Sequence, residues 1–357
     1  MSFEWLAIVP ILSLLMLVHE WGHFVTARRA GITVQEFGFG LPPRLIGIER
    51  GGVIYSLNAI PFGAFVKMLG EEDPTQPGSF ARQSKKVRAI VLAAGSGMNF
   101  ITAGVVFAIA YMSGWPTPVE NEVEIAQVIA GAPAEQAGLR NGDLVVSING
   151  QPVSRVEDFR TRTQQNLGQP MQVSVLREGN AVNVTMTPRA NPPDGQGAVG
   201  VALRAPVRPT NHGVIESIGL GFGRAIQIVG FTLAAPVMAI QGAISPDMLR
   251  PIGLPGMAQV ASQAVDHATD TGAWFPILTV TGTFSAGLAV ANMLPLPALD
   301  GGRLLFIAIE AIRGRRVNPE REGMFHFVGI LVLITLMVLI SINDLVAPLP
   351  AIDWGGR

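Results

Sequence analysis

The chain has 357 residues, of which 49% are hydrophobic and only 14% charged, with a formal net charge of −1 and no cysteine. With a mean hydropathy of +0.40, that composition is too apolar and too poor in charge for an ordinary water-soluble domain. It excludes disulfides and thiolate metal ligands, so any metal must use His, Asp or Glu, and it gives no reason to expect a nucleic-acid partner.

The first element is an apolar run over Trp5–Ala27, in a segment taken as 1–31. No Lys or Arg precedes it, so it lacks the positive leader of a cleavable signal peptide and reads as a retained membrane helix. Near its inner end stands Val18-His19-Glu20-Trp21-Gly22-His23-Phe24, an H-E-x-x-H match. Residues four apart share one helix face, so His19 and His23 can offer two imidazoles to one metal. Glu20 beside them can take a proton from water at that metal. An exposed juxtamembrane turn with incidental histidines would also fit the pattern. Its setting argues for function, because ionisable groups in a membrane segment are costly.

Residues 32–88 follow, with strand-like stretches at Ile32–Phe39 and Val53–Val66 broken by Gly and Pro. They predict a β-hairpin or small sheet, either re-entrant beside the histidines or lying at the cytoplasmic leaflet. A re-entrant hairpin would have to be buried in protein or line a wet cavity, and its edge could take an extended substrate segment by strand addition. A second uncharged span occupies Ala89–Met112, in segment 89–113.

Charge and β-branched residues return over 114–208. A short helix and turn over Gly131–Asp143, a strand running into Asn149-Gly150, a helix over Val156–Asn166 and paired strands at Met171–Arg177 and Ala181–Thr187 resemble a bacterial PDZ domain. Asn191-Pro192-Pro193-Asp194-Gly195 reads as a loop before its last strand. Such a domain takes a peptide by strand addition or serves as a spacer or size filter.

Segment 209–272 contains the ambiguous stretch 218–244, apolar but carrying Arg224, Gln227, Pro236 and Gln241. A fifth span fits this stretch, but an interfacial helix on the outer leaflet is the preferred reading, because a single crossing here would turn the end of the next span away from His19 and His23. That span is Trp274–Leu299, in segment 273–302. A loop over 303–323, a last span at Phe325–Ile342 within 324–346, and a tail over 347–357 complete the chain. The expected fold is a mainly α membrane protein with four transmembrane helices, a re-entrant β-hairpin and one extracytoplasmic α+β PDZ domain. Between Arg28 and Arg88 positive residues outnumber acids nine to five, and Arg303–Arg321 is also basic. Both loops are therefore expected to face the cytoplasm, with the N-terminus, PDZ domain and C-terminus outside.

The third span ends Asn292-Met293-Leu294-Pro295-Leu296-Pro297-Ala298-Leu299-Asp300-Gly301. Pro295 and Pro297 must break the helix. Asp300 is the carboxylate nearest the end of an uncharged span, and alone it would serve equally well as a helix cap. With His19 and His23 expected on the same side it becomes a third ligand, and two His plus one carboxylate leave a tetrahedral zinc position open for water. Asn292 suits a substrate carbonyl or oxyanion, or a bridge between helices. Asn99 has the same two readings, and its small neighbours favour helix packing. His326 is expected at an interface, and His212 and His267 are expected to be incidental.

These residues resemble the site-2 protease family of intramembrane zinc metalloproteases, in the bacterial form of the regulator-of-sigma-E type. His19-Glu20-x-x-His23 matches its first motif and Asn292-x-x-Pro295-x-Pro297-x-Leu299-Asp300-Gly301 its second, and the resemblance covers nearly the whole chain. It implies a zinc endopeptidase with His19, His23 and Asp300 as ligands and Glu20 as general base. Asn292, with Pro295 and Pro297, would position the substrate. It also implies a bacterial cytoplasmic-membrane location, an active site toward the cytoplasm, and regulated intramembrane proteolysis of single-span proteins such as anti-sigma factors or remnant signal peptides. The sequence departs from that type in having one PDZ domain where the type has two, and Gly95-Ser96-Gly97 where relatives carry Gly-Pro. Two other readings of the same residues are a membrane metal transporter and an inactive PDZ-bearing scaffold.

Overall fold

The computed structural model describes residues 6–71, 73–193 and 195–354. Trp5 of the expected first span, Asp194 of the expected loop and the last three residues of the tail lie outside the described residues. The chain divides into two compact units, Trp115–Thr210 and the segments on either side of it. In chain order the flanking unit begins with α1 (Ile8–Arg29), β1 (Val34–Arg50), β2 (Val53–Met68) and α2 (Lys85–Met112). The inserted unit holds β3 (Trp115–Pro118), β4 (Val123–Val128), α3 (Pro133–Gln136), β5 (Leu144–Ile148), β6 (Gln151–Pro152), α4 (Val156–Gln165), β7 (Met171–Arg177), β8 (Asn180–Met186), β9 (Val201–Arg204) and β10 (Val207–Thr210). The flanking unit resumes with α5 (Val214–Ile240), α6 (Leu254–Thr271), α7 (Phe275–Met293), α8 (Asp300–Arg313) and α9 (Pro319–Val346).

Among the described residues five helices, α1, α2, α5, α7 and α9, are long and apolar enough to cross a membrane, where the sequence led us to expect four. The additional one is α5. It lies lengthwise on α2 rather than across its end, because small residues let the backbones touch. A Cβ on Gly221 would come within 2.5 Å of both Gly104 O and Ala108 N, and Phe222 stacks on Phe100 at 6.2 Å. Close approach of this kind is how apolar helices associate without help from water. The stretch 218–244, expected to lie on a leaflet, forms a helix that packs along α2. The direction of α7 survives. Gly282 meets Phe107 and Ser285 Oγ donates to Asn99 O at 2.7 Å, so α7 runs antiparallel to α2. Residues 241–274, including α6, carry the chain back to the start of α7.

The expected hairpin is a small bent sheet. Phe37 and Phe39 pair with Tyr55 and Leu57 on one side and with Val66 and Ala64 on the other, while Gly47–Arg50 pair with Ser56–Val53. The rows therefore run 44–50, 53–58, 36–39, 64–68, with the last an outer edge. Gly51 and Gly52, both at positive φ, make the two-residue turn that joins strands of this twist.

The inserted unit is an antiparallel sheet in the order β8-β7-β5-β4-β9, covering Ile125, Ile148, Phe159, Met171 and Val173 in a closed apolar core. The elements are those expected of a PDZ domain. β9 ends the sheet, and a groove beside α4 is lined by Phe159, Thr163, Leu167, Val199, Val201 and Leu203.

Candidate metal centre

The site is built where α1, α2 and the break between α7 and α8 meet. His19 and His23, one turn apart on α1, are both buried, with ring centroids 4.7 Å apart and planes at 83°. His23 Nδ1 lies 2.8 Å from Val91 O. A carbonyl accepts only, so Nδ1 carries the proton and Nε2 is left bare. α7 stops at Met293 as Pro295 and Pro297 require, and α8 opens on Asp300. The intervening turn is tight enough that Gly301 lies against the backbone of Met293 and Leu294.

This turn brings Asp300 to the imidazoles. Its Oδ2 is 3.1 Å from His19 Nε2 and 3.2 Å from His23 Nε2, and the two Nε2 atoms are 3.1 Å apart. Three donors sharing one tetrahedral zinc at about 2.0–2.1 Å would stand roughly 3.3–3.4 Å from one another. Neither short contact of Asp300 Oδ2 has hydrogen-bond geometry, so this buried oxygen has no donor. Such an atom calls for an explanation, and a cation shared with His19 Nε2 and His23 Nε2 supplies one. The residues fit the metal.

The Glu20 carboxylate lies within 4.8 Å of a ring nitrogen of each histidine, hydrogen-bonded by the backbone of Val66. Glu20, His23, Phe65, Val66, Met68 and Asp300 line one small cavity, which places the outer edge of the bent sheet at the site. The Asn292 amide lies 3.4 Å from His19 Nδ1. The two prolines stand apart from this cluster. Pro295 is exposed, and Pro297 packs its ring on Gly329 of α9, so both shape the turn that delivers Asp300.

The remaining histidines are occupied elsewhere. His326 Nδ1 accepts the Ala298 N–H at 2.9 Å, His212 lies 3.0 Å from Glu216, and His267 stacks on Phe275. The sequence reading missed Gly95. A Cβ there would stand 2.6 Å from His19 Cε1 and 2.7 Å from His19 Nε2, and closer still to His23 Nε2. It also missed Arg303, one turn beyond Asp300, which pairs with Glu71 at 2.7 Å beside the same cavity. The signal for Gly95 was its four-residue spacing from Val91 and Asn99, which repeats the spacing of the histidines.

The model of Peptidase family M50 matches residues 7–336. The chain belongs to this family. It is 33% identical over 341 residues to a Clostridium perfringens protein called "Putative zinc metalloprotease", covering 94% of this chain and 97% of that one. It is 27% identical over 425 residues to the Bacillus subtilis regulator of sigma-W protease RasP, covering 95% and 97%. Among solved structures, the PDZ domain of an SdrC-like protein from Listeria monocytogenes matches 24% of this chain and 92% of its own length, at 18% identity and a TM-score of 0.22. The chain is thus a zinc metalloendopeptidase of the site-2 type and a multi-pass membrane protein. The transporter and inactive-scaffold readings give way to that assignment.

Proposed function

We propose that this protein hydrolyses peptide bonds within the transmembrane segments of single-span membrane proteins, with zinc held by His19, His23 and Asp300. The observation that carries the reading is the convergence of two imidazole nitrogens and one unanswered carboxylate oxygen within 3.2 Å of one another, in a unit of span-length apolar helices. When bound, zinc supplies Lewis-acid polarisation of the scissile carbonyl and makes water acidic enough to ionise near neutral pH. Glu20 takes the proton of the attacking water and hands it to the departing amine. Asn292 faces the substrate carbonyl and the charge that develops on it. A helical substrate must unwind to expose that carbonyl, and pairing with the outer row 64–68 would replace the hydrogen bonds it gives up.

The basic loops support a site facing the cytoplasm and an inserted domain outside. There that domain would bind a peptide end or exclude substrates with large ectodomains. The Bacillus subtilis relative's name ties that protein to sigma-W. We extend this to substrates of the anti-sigma type and to remnant signal peptides.

The test is Glu20→Gln supplied with a single-span substrate in proteoliposomes. Removal of a general base is expected to lower turnover by about 10²–10⁴-fold with zinc still bound. Unchanged cleavage by zinc-loaded Glu20→Gln would overturn the assignment.

A further inference from the structure

The imidazoles of α1 are backed by one stripe of α2. Val91, Gly95 and Asn99 are spaced four apart, as are His19 and His23, and the helices are antiparallel. Each member of the stripe therefore meets the pair in turn. Val91 gives His23 an acceptor for its Nδ1–H, 2.8 Å away. Gly95 leaves the rings room. Asn99, with 0% of its surface exposed, sets its amide nitrogen 3.3 Å from His19 Nδ1, while its own carbonyl Oδ1 is buried without a partner.

That arrangement contains a contradiction. With the Nε2 that faces Asp300 and His23 given to zinc, the proton of His19 sits on Nδ1 and must be donated. An NH₂ group facing it would set donor against donor. The two ends of an amide are told apart only by their hydrogen bonds, and a half-turn of the Asn99 amide places the orphaned oxygen on the imidazole N–H.

We propose that Asn99 is the positioning residue for His19, its side-chain carbonyl accepting the Nδ1–H and so fixing the tautomer and ring plane that present Nε2 to the metal. The Asn292 amide, 3.4 Å from the same nitrogen, is thereby released to face the substrate. The two asparagines, alike in sequence, divide the work between ligand and substrate. The inference rests on the reading of His19, His23 and Asp300 as the zinc site. Partners of ligating histidines govern metal affinity by about 10–100-fold. Asn99 also holds α7 through its main chain, which accepts from Ser285 Oγ, so changing its side chain leaves that anchor in place.

The experiment is zinc affinity of the purified full-length protein, measured by competition with a chelator. Asn99→Leu is expected to weaken zinc about 10–100-fold. Asn99→Asp, which keeps an acceptor in place, should stay close to wild type, and Asn292→Leu should bind zinc normally while losing turnover. Should Asn99→Leu fail to fold, Asn99→Ala carries the same expectation. Wild-type affinity in Asn99→Leu or Asn99→Ala would overturn the proposal. So would Asn99→Asp as weak as Asn99→Leu, or Asn292→Leu weakened as much as either. Undiminished zinc in Asp300→Ala would instead sink the metal-site reading itself.

Discussion

Asp143 of the inserted domain and Asp300 of the helical unit are both withdrawn from water, and their surroundings answer them in opposite ways. The Asp143 side chain is 1% exposed, and every approach to it is a donor. Arg177 grips both oxygens at 2.8 and 2.7 Å, and the Arg140 N–H adds a bond at 2.8 Å. Asp344, at the far end of α9, is treated the same way, by the N–H groups of Gly253 and Gly256 and by Arg250. The Asp300 side chain is 18% exposed, and its Oδ2 meets two imidazole nitrogens with no hydrogen bond from either. A buried carboxylate surrounded by donors holds a fold together. One left without a donor beside two imidazoles calls for a cation, and the protein carries that cost for its chemistry.

The sharpest way to break this contrast is Asp300→Asn. We expect zinc affinity to fall by well over the ~10–100-fold associated with a ligand's hydrogen-bond partner, and cleavage to vanish with it. The metal-free variant should melt close to metal-free wild type if Asp300 serves the metal rather than the fold. Metal analysis alongside thermal unfolding in chelator would check both halves. A metal-free variant that melts well below wild type would mean that Asp300 is as structural as Asp143.

Two glycines on α2 sharpen the same comparison inside one helix turn. Gly95 faces the imidazoles with no room for a Cβ, whereas nothing lies within 4 Å of the corresponding position at Gly97. Gly95→Ala should displace His19 and His23, with an overpacking cost of about 1–3 kcal/mol and loss of zinc. Gly97→Ala should leave zinc binding alone and stabilise the helix by up to about 1 kcal/mol. Zinc titration of the two variants side by side would show whether the close approach of α2 is specific to the stripe behind the histidines.

The legible part of this molecule was the part in which spacing along the chain is also spacing in space. His19, Glu20 and His23 lie within one helix turn. Asp300 could be tied to them because the span it ends was expected to finish on the same side of the membrane as the histidines. The 115–210 domain announced itself through strand alternation and turn residues. The role of α2 was harder to see, because Val91 acts through a main-chain carbonyl, which is the same for every residue, and Gly95 acts by what it lacks. Asn99 read as packing because its surroundings are small, yet those small neighbours are what let a buried amide reach His19. The packing of α5 along α2 was hidden for a different reason. Arg224, Gln227 and Pro236 lowered its apolar character, and the Gly221–Gly104 contact that seats it on α2 joins residues 117 positions apart (221 − 104).

The smallest expected effect lies on the other side of the comparison, in the inserted domain. Burial works against the Asp143 charge, but the Arg177 and Arg140 bonds outweigh it and hold the carboxyl below its ordinary value of 3.8. A carboxyl depressed in the folded state binds fewer protons there than in the unfolded chain, so its contribution to stability is complete above the ordinary value. That contribution is lost as the pH falls through the lower, folded value. Unfolding of residues 115–210, followed by hydrogen exchange in the intact protein, should thus be level near neutrality and ease progressively below about pH 4. Asp143→Asn should flatten that acid limb, since the amide cannot titrate, while lowering protection at neutral pH because Arg177 loses its charged partner. An acid limb that survives the substitution unchanged would mean that the Arg177 clasp contributes nothing to the pH response, and the contrast with Asp300 would then rest on geometry alone.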